Sequence, residues 1–82
     1  MPNLVLYYMD TCPYCQKVFQ FMQQNNIRIA LKDTMQNPNN RQELLKIGGK
    51  TQVPCLAIDG KALYESDAII RWLGANLKGA KT

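Results

Sequence analysis

The hydrophobic pattern of this chain switches period repeatedly, and each switch marks an element. Leu4-Val5-Leu6-Tyr7-Tyr8 is a short apolar run of β type. Cys15, Val18, Phe19 and Met22 then follow at i, i+3, i+4 and i+7, which is one face of an amphipathic helix, and Asn25-Asn26 ends it. Ile27-Arg28-Ile29-Ala30-Leu31 alternates apolar with polar or small residues, as a strand does. Strand, helix and strand within about 30 residues make a βαβ unit, with parallel strands and a right-handed crossover. Asn37-Pro38 offers an N-cap and a proline at the first helical position. Leu44, Leu45 and Ile47 supply a core face for that helix, and Gly48-Gly49 stops it.

The second half reads differently. Cys55-Leu56-Ala57-Ile58 and Ala62-Leu63-Tyr64 are short strands on either side of Asp59-Gly60, a turn pair that favours a hairpin. Ser66 is a good N-cap for a last helix whose core face is Ile69, Ile70, Leu73 and Leu77. The predicted order is β-α-β-α-β-β-α, an α/β fold with a four-stranded mixed sheet and three flanking helices. A doubly wound sheet needs more residues than this.

Composition narrows the class. Eighty-two residues make one small domain, 1–82, which buries only about 60% of its unfolded surface or a little more. Apolar residues at 46% and charged residues at 20% are ordinary for a soluble globular protein. The start of the chain has no basic stretch, and its apolar run is too short for a signal peptide or a membrane span. The expectation is therefore a cytoplasmic protein without a membrane partner. The formal charge is +4, with the basic residues scattered from Lys17 to Lys81. Arg41, Lys46 and Lys50 are denser than average, but basic runs interleaved with aromatics are missing, which argues against a nucleic-acid partner. A small anionic ligand is compatible with this charge.

Cys12-Pro13-Tyr14-Cys15 carries the chemistry. Positions i and i+3 share a helix face, and their Cα atoms lie roughly 5–6 Å apart, inside the range that a disulfide can close. A CxxC pair just after a strand reads as a redox pair at a strand-to-helix turn. The chain has three cysteines and no histidine. An odd number suits a disulfide scaffold poorly, and a four-ligand zinc site fails on ligand count. Cys12, beside Pro13 at the helix start, has free amide N–H groups and the helix dipole to favour its thiolate, which is the attacking species. Cys15 lies inside the helix and suits a resolving role. Cys55 reads as a small core residue that happens to be a thiol.

Three motifs together resemble the glutaredoxin family. They are Thr11-Cys12-Pro13-Tyr14-Cys15, Thr51-Gln52-Val53-Pro54, and Asp59-Gly60-Lys61 leading to Ser66-Asp67. The resemblance covers nearly the whole chain and is of the dithiol CPYC type. It implies a thioredoxin fold, a cis Val53-Pro54 peptide bond facing the cysteines, and glutathione as co-substrate with no permanently bound cofactor. Val53 would then hydrogen-bond the cysteinyl unit of glutathione through its main chain, with Gln52 beside it where many relatives have threonine. Tyr14 would line the groove. Ser66 and the backbone N–H groups of the last helix would hold the γ-glutamyl carboxylate, and Asp67 its ammonium. Arg41 is the candidate for the glycyl carboxylate.

The resemblance implies a glutathione-dependent thiol–disulfide oxidoreductase. Its nucleophile is Cys12 and its resolving thiol Cys15. Its partners are glutathionylated or disulfide-containing proteins, ribonucleotide reductase among the candidates, and a monomer is the expected state. Two departures stand out. Many glutaredoxins place a lysine three residues before the first cysteine, where this chain has Met9, followed by Asp10. Where many have Gly-Gly, this chain has Tyr64-Glu65, so that Tyr64 to Ile69 looks like the N-terminal domain of glutathione transferases. Two alternatives stay open: a [2Fe–2S] cluster held by Cys12 and glutathione in a dimer, and a detached transferase-like domain. Pro13 stiffens the turn against the first. Against the second stands the expectation that no helical domain follows Thr82 to form a pocket for electrophiles.

Overall fold

The computed structural model describes residues 3–77. Among these, the elements run β1 (Leu4–Tyr8), α1 (Pro13–Gln24), β2 (Ala30–Asp33), α2 (Pro38–Gly48), β3 (Cys55–Ile58), β4 (Lys61–Tyr64) and α3 (Ser66–Asn76). The strands form one mixed sheet in the order β2-β1-β3-β4. β1 pairs parallel to β2 and antiparallel to β3, and β3 pairs antiparallel to β4. The predicted element order is the observed one, and the fold is thioredoxin-like. No helix among the described residues is long and apolar enough to cross a membrane.

β1 is apolar on both sides because both faces of the sheet are covered. Its side chains alternate between them. Leu4 and Leu6 join Leu56 of β3 beneath α1 and α3, packed with Val18, Met22, Ile69 and Leu73. Tyr7 points to the other face with Cys55, Ala57 and Leu44 of α2. Leu6, Leu56, Ile69 and Leu73 are fully buried, and each such side chain contributes about 1.5–3 kcal/mol relative to an exposed position.

The hairpin between β3 and β4 forms as predicted. Asp59 and Gly60 both have positive φ, 51° and 85°, which is what a two-residue turn matching the strand twist requires. Gly48 answers a different need. A Cβ there would overlap the Tyr64 hydroxyl and ring, so glycine lets the end of α2 close on β4 as it stands. Tyr64 is held in place by a hydrogen bond to the Lys50 carbonyl at 3.2 Å, with Lys50 Nζ 4.6 Å from its ring centre.

The structure departs from three sequence expectations. The second strand is Ala30–Asp33, later than the alternation at Ile27–Leu31 suggested. The cause lies at the end of α1: Asn26 has φ 54°, and the Ile27 N–H bonds back to the Met22 carbonyl at 2.9 Å. Ile27 is therefore used to close the helix and is buried against it, and pairing begins only at Val5–Ala30. Leu45, expected in the core face of α2, is 49% exposed. Leu44 and Ile47, three apart, share the inner face, while Leu45 is turned about 100° away from Leu44. The third departure is the cap of α3, which is Glu65 at φ 74°, with Ser66 the first helical residue and buried.

Candidate active site

The site begins at the end of β1. A turn brings the Cys12 N–H to the Met9 carbonyl at 3.2 Å, and Gln16 Nε2 ties the same loop through the Asp10 carbonyl at 3.0 Å. Cys12 is the N-cap residue, in extended conformation, and Pro13 follows at the first helical position. Proline lacks an N–H and has φ pre-set for helix, so it starts α1 without adding an unmet donor of its own. The first intrahelical bond runs from Gln16 N–H to the Cys12 carbonyl at 3.1 Å. The N–H groups of Tyr14 and Cys15 are left without an intrahelical acceptor, and no side chain caps the turn.

The two cysteines of the turn sit in different surroundings. Cys12 is partly exposed, whereas Cys15 is buried completely. Burial pushes the Cys15 thiol up to about 12, with a hydrogen bond from the Met9 backbone pulling the other way and the neighbouring Cys12 adding to the rise. Cys15 is therefore a protonated thiol at neutral pH, in contact with Cys12. Both are free thiols here, as is Cys55.

Across from Cys12 lies the loop that precedes β3. The Val53-Pro54 peptide bond is cis, and the Val53 carbonyl is 4.0 Å from Cys12 Sγ. A groove of about 400 Å³ runs from here to the start of α3, lined by Tyr14, Lys17, Gln52, Val53, Pro54, Glu65, Ser66 and Asp67. Tyr14 is 64% exposed on its rim. At the far end the first helical bond of α3 is Ile69 N–H to the Glu65 carbonyl at 3.0 Å, so the N–H groups of Ser66, Asp67 and Ala68 are free of intrahelical acceptors. Such a terminus favours a carboxylate. Asp67 is paired with Lys17 Nζ at 2.6 Å, which holds its carboxyl below the usual carboxylate range.

The sequence-predicted residues Tyr14, Gln52, Val53, Pro54, Ser66 and Asp67 thus line one groove beside Cys12. Arg41 does not. It lines a second groove of about 380 Å³ with Met9, Thr34, Met35, Pro38 and Thr51. The reason is α2, which packs on the opposite face of the sheet from α1 and α3. Two features escaped the sequence reading. Lys17 spans the groove to Asp67. Glu65, at a positive φ that side chains rarely adopt, accepts a long 3.4 Å contact from Gln52 Nε2. For Lys17 the available signal was its spacing, three residues after Tyr14 on the exposed face of α1.

Cys55 stands apart from this chemistry. It is fully buried beneath α2, and burial raises its thiol further from ionisation despite contacts from the Leu63 backbone and the Tyr64 hydroxyl. It is a core residue.

Residues 6–81 match the family model described as glutathione S-transferase, N-terminal domain. Glutaredoxin 3 of Escherichia coli strain K12 is 30% identical over 67 residues, 82% of this chain and 81% of that protein. Among solved structures, a glutathione transferase homologue from Drosophila mojavensis with bound glutathione has TM-score 0.78 and 21% identity, over 95% of this chain and 36% of that one. Glutathione transferase Omega 3C from Trametes versicolor has TM-score 0.76 and 32% identity, over 89% of this chain and 33% of that one. The chain spans about a third of the length of these transferases and most of the length of the glutaredoxin.

Proposed function

This chain belongs to the glutathione S-transferase N-terminal-domain family and equally to the glutaredoxins, and we propose that it is a glutathione-dependent thiol–disulfide oxidoreductase. The observation that carries the reading is the pairing of Cys12 with the groove. A partly exposed thiol at an uncapped helix N-terminus lies 4.0 Å from the Val53 carbonyl, at one end of a groove whose other end is a second uncapped helix N-terminus.

Cys12 attacks, as its thiolate, the glutathionyl sulfur of a protein–glutathione mixed disulfide. The S–S bond breaks, the Cys12–glutathione disulfide forms, and the electron pair leaves on the protein sulfur, which takes up a proton. A second glutathione thiolate then attacks the glutathionyl sulfur on Cys12. It forms oxidised glutathione and returns Cys12 to the thiolate. Glutathione lies with its cysteinyl unit against Val53, its γ-glutamyl carboxylate on Ser66 and the N–H groups of α3, and its ammonium toward Asp67. With a protein disulfide, Cys12 forms the mixed disulfide and Cys15 displaces it; Cys15 must first lose its proton, which its burial makes slow. The exchange with a second glutathione needs only Cys12 and is the monothiol route.

The contrast of Cys12→Ser with Cys15→Ser tests this. The first abolishes reduction of a glutathionylated peptide and the second leaves much of it; equal loss from both would sink the monothiol route. A transferase-like reading draws on Glu65-Ser66-Asp67 and the family match. It leaves unexplained the second thiol in contact with Cys12, which conjugation does not use. Conjugation of a standard electrophile by the Cys15→Ser variant would favour it.

A further inference from the structure

Lys17 and Asp67 join α1 to α3 across the mouth of the groove at 2.6 Å, and both line it. The groove's charged residues are one cation, Lys17, and two anions, Glu65 and Asp67. A γ-linked glutamyl group carries a free ammonium and a free carboxylate on the same carbon. Lys17 holds one oxygen of Asp67, and a ligand ammonium that takes that place frees Lys17. The freed ammonium of Lys17 then stands beside the ligand's carboxylate, while the remaining acid Glu65 would repel that carboxylate if Lys17 were neutral. We infer that Lys17 is a specificity-determining residue for the amino-acid end of the ligand. It exchanges Asp67 for the ligand's α-carboxylate when the ligand's ammonium takes its place.

Two properties make the exchange feasible. The side chains are 54% and 71% exposed, so the pair is screened by water and weakly held. The lysine stem is long and flexible, so its head can move between two acceptors without disturbing α1. In the free protein the pair occupies the groove with charges of the same kind that a zwitterionic head brings. A ligand with only one of the two charges cannot complete the swap: without its carboxylate it breaks the pair and offers Lys17 nothing in return. Selection for a free α-amino-acid end is thus built into one ion pair.

The inference rests on the glutathione reading and is tested with two ligands. These are glutathione and γ-aminobutyryl-cysteinyl-glycine, which keeps the ammonium but lacks the α-carboxylate. Their dissociation constants are measured with the wild-type protein, Lys17→Gln and Lys17→Arg. Lys17→Gln is expected to weaken glutathione about tenfold and to tighten the analogue, since Asp67 is then free to receive the ammonium. Lys17→Arg is expected to preserve the preference of the wild type. Shifts of both ligands in the same direction with Lys17→Gln would overturn the inference, because a simple staple between helices, or a mere blocker of Asp67, acts on both alike. A wild-type protein that binds neither ligand would instead overturn the glutathione reading itself.

Discussion

The helix that carries Cys12 and the helix that carries Arg41 both begin with proline, but they treat their N-termini differently. At the start of α2, Asn37 turns its side chain onto the Asn39 N–H at 3.1 Å and closes the turn. At the start of α1, Cys12 occupies the same position and makes no such bond, and α3 likewise begins without a side-chain cap. The two open termini face one groove, and the closed one borders another. A helix N-terminus left open keeps its N–H groups and its positive end available to an anion. Under the proposed function, the groups that meet these ends are the Cys12 sulfur at α1 and a glutathione carboxylate at α3. Both open termini forgo the stability that a good cap would have added.

The largest test of that contrast is Cys12→Ser. Serine is a strong N-cap where cysteine is not, so disulfide reduction should fall to background while the protein becomes more stable by about 0.5–1 kcal/mol. Activity against a glutathionylated peptide and the urea midpoint check both halves, and a variant both inactive and destabilised would contradict the idea of an uncapped working terminus.

The second test concerns the buried thiol. The folded state holds the Cys15 proton to about 12, above the ordinary thiol value of 9.0, and Tyr7 is likewise raised to about 12, by burial and by its hydrogen bond to Glu43. Between these values the unfolded chain binds fewer protons than the folded one, so stability falls as pH rises from about 9 toward 12. Each such group contributes a slope of up to about 1.4 kcal/mol per pH unit. Cys15→Ser should make the alkaline decline shallower in a series of urea midpoints against pH; an unchanged slope would mean that Cys15 is not protonated by burial.

The smallest effect is expected at the closed terminus. Asn37→Ala should cost about 1 kcal/mol of stability and leave the rate of disulfide reduction unchanged. Assays of both quantities on the same preparation decide it, and a loss of rate would show that the α2 side takes part in the chemistry.

Much of this was legible in the sequence, for reasons that differ by residue. β1 was read to its ends because an apolar run covered on both faces is a purely local signal. Asn37-Pro38, Asp59-Gly60 and the CPYC turn were legible because each fixes its own backbone. The cis Val53-Pro54 bond was reachable only through the family resemblance. β2 was misplaced because Ile27 serves the end of α1, and an alternating pattern does not say which neighbour an apolar side chain packs on. Arg41 lines a neighbouring groove, and nothing along the chain says that α2, which carries it, packs on the far face of the sheet. The Lys17–Asp67 pair joins residues 50 apart in sequence. Only the packing of α1 against α3 brings them together.

Under the proposed function, glutathione is the second half of the Cys12 site. The direct measurement is turnover of a glutathionylated peptide with either glutathione and glutathione reductase or thioredoxin reductase as the electron source. Turnover with the glutathione system, retained in large part by Cys15→Ser, is the expected result. Turnover driven by thioredoxin reductase alone, and lost in Cys15→Ser, would contradict it.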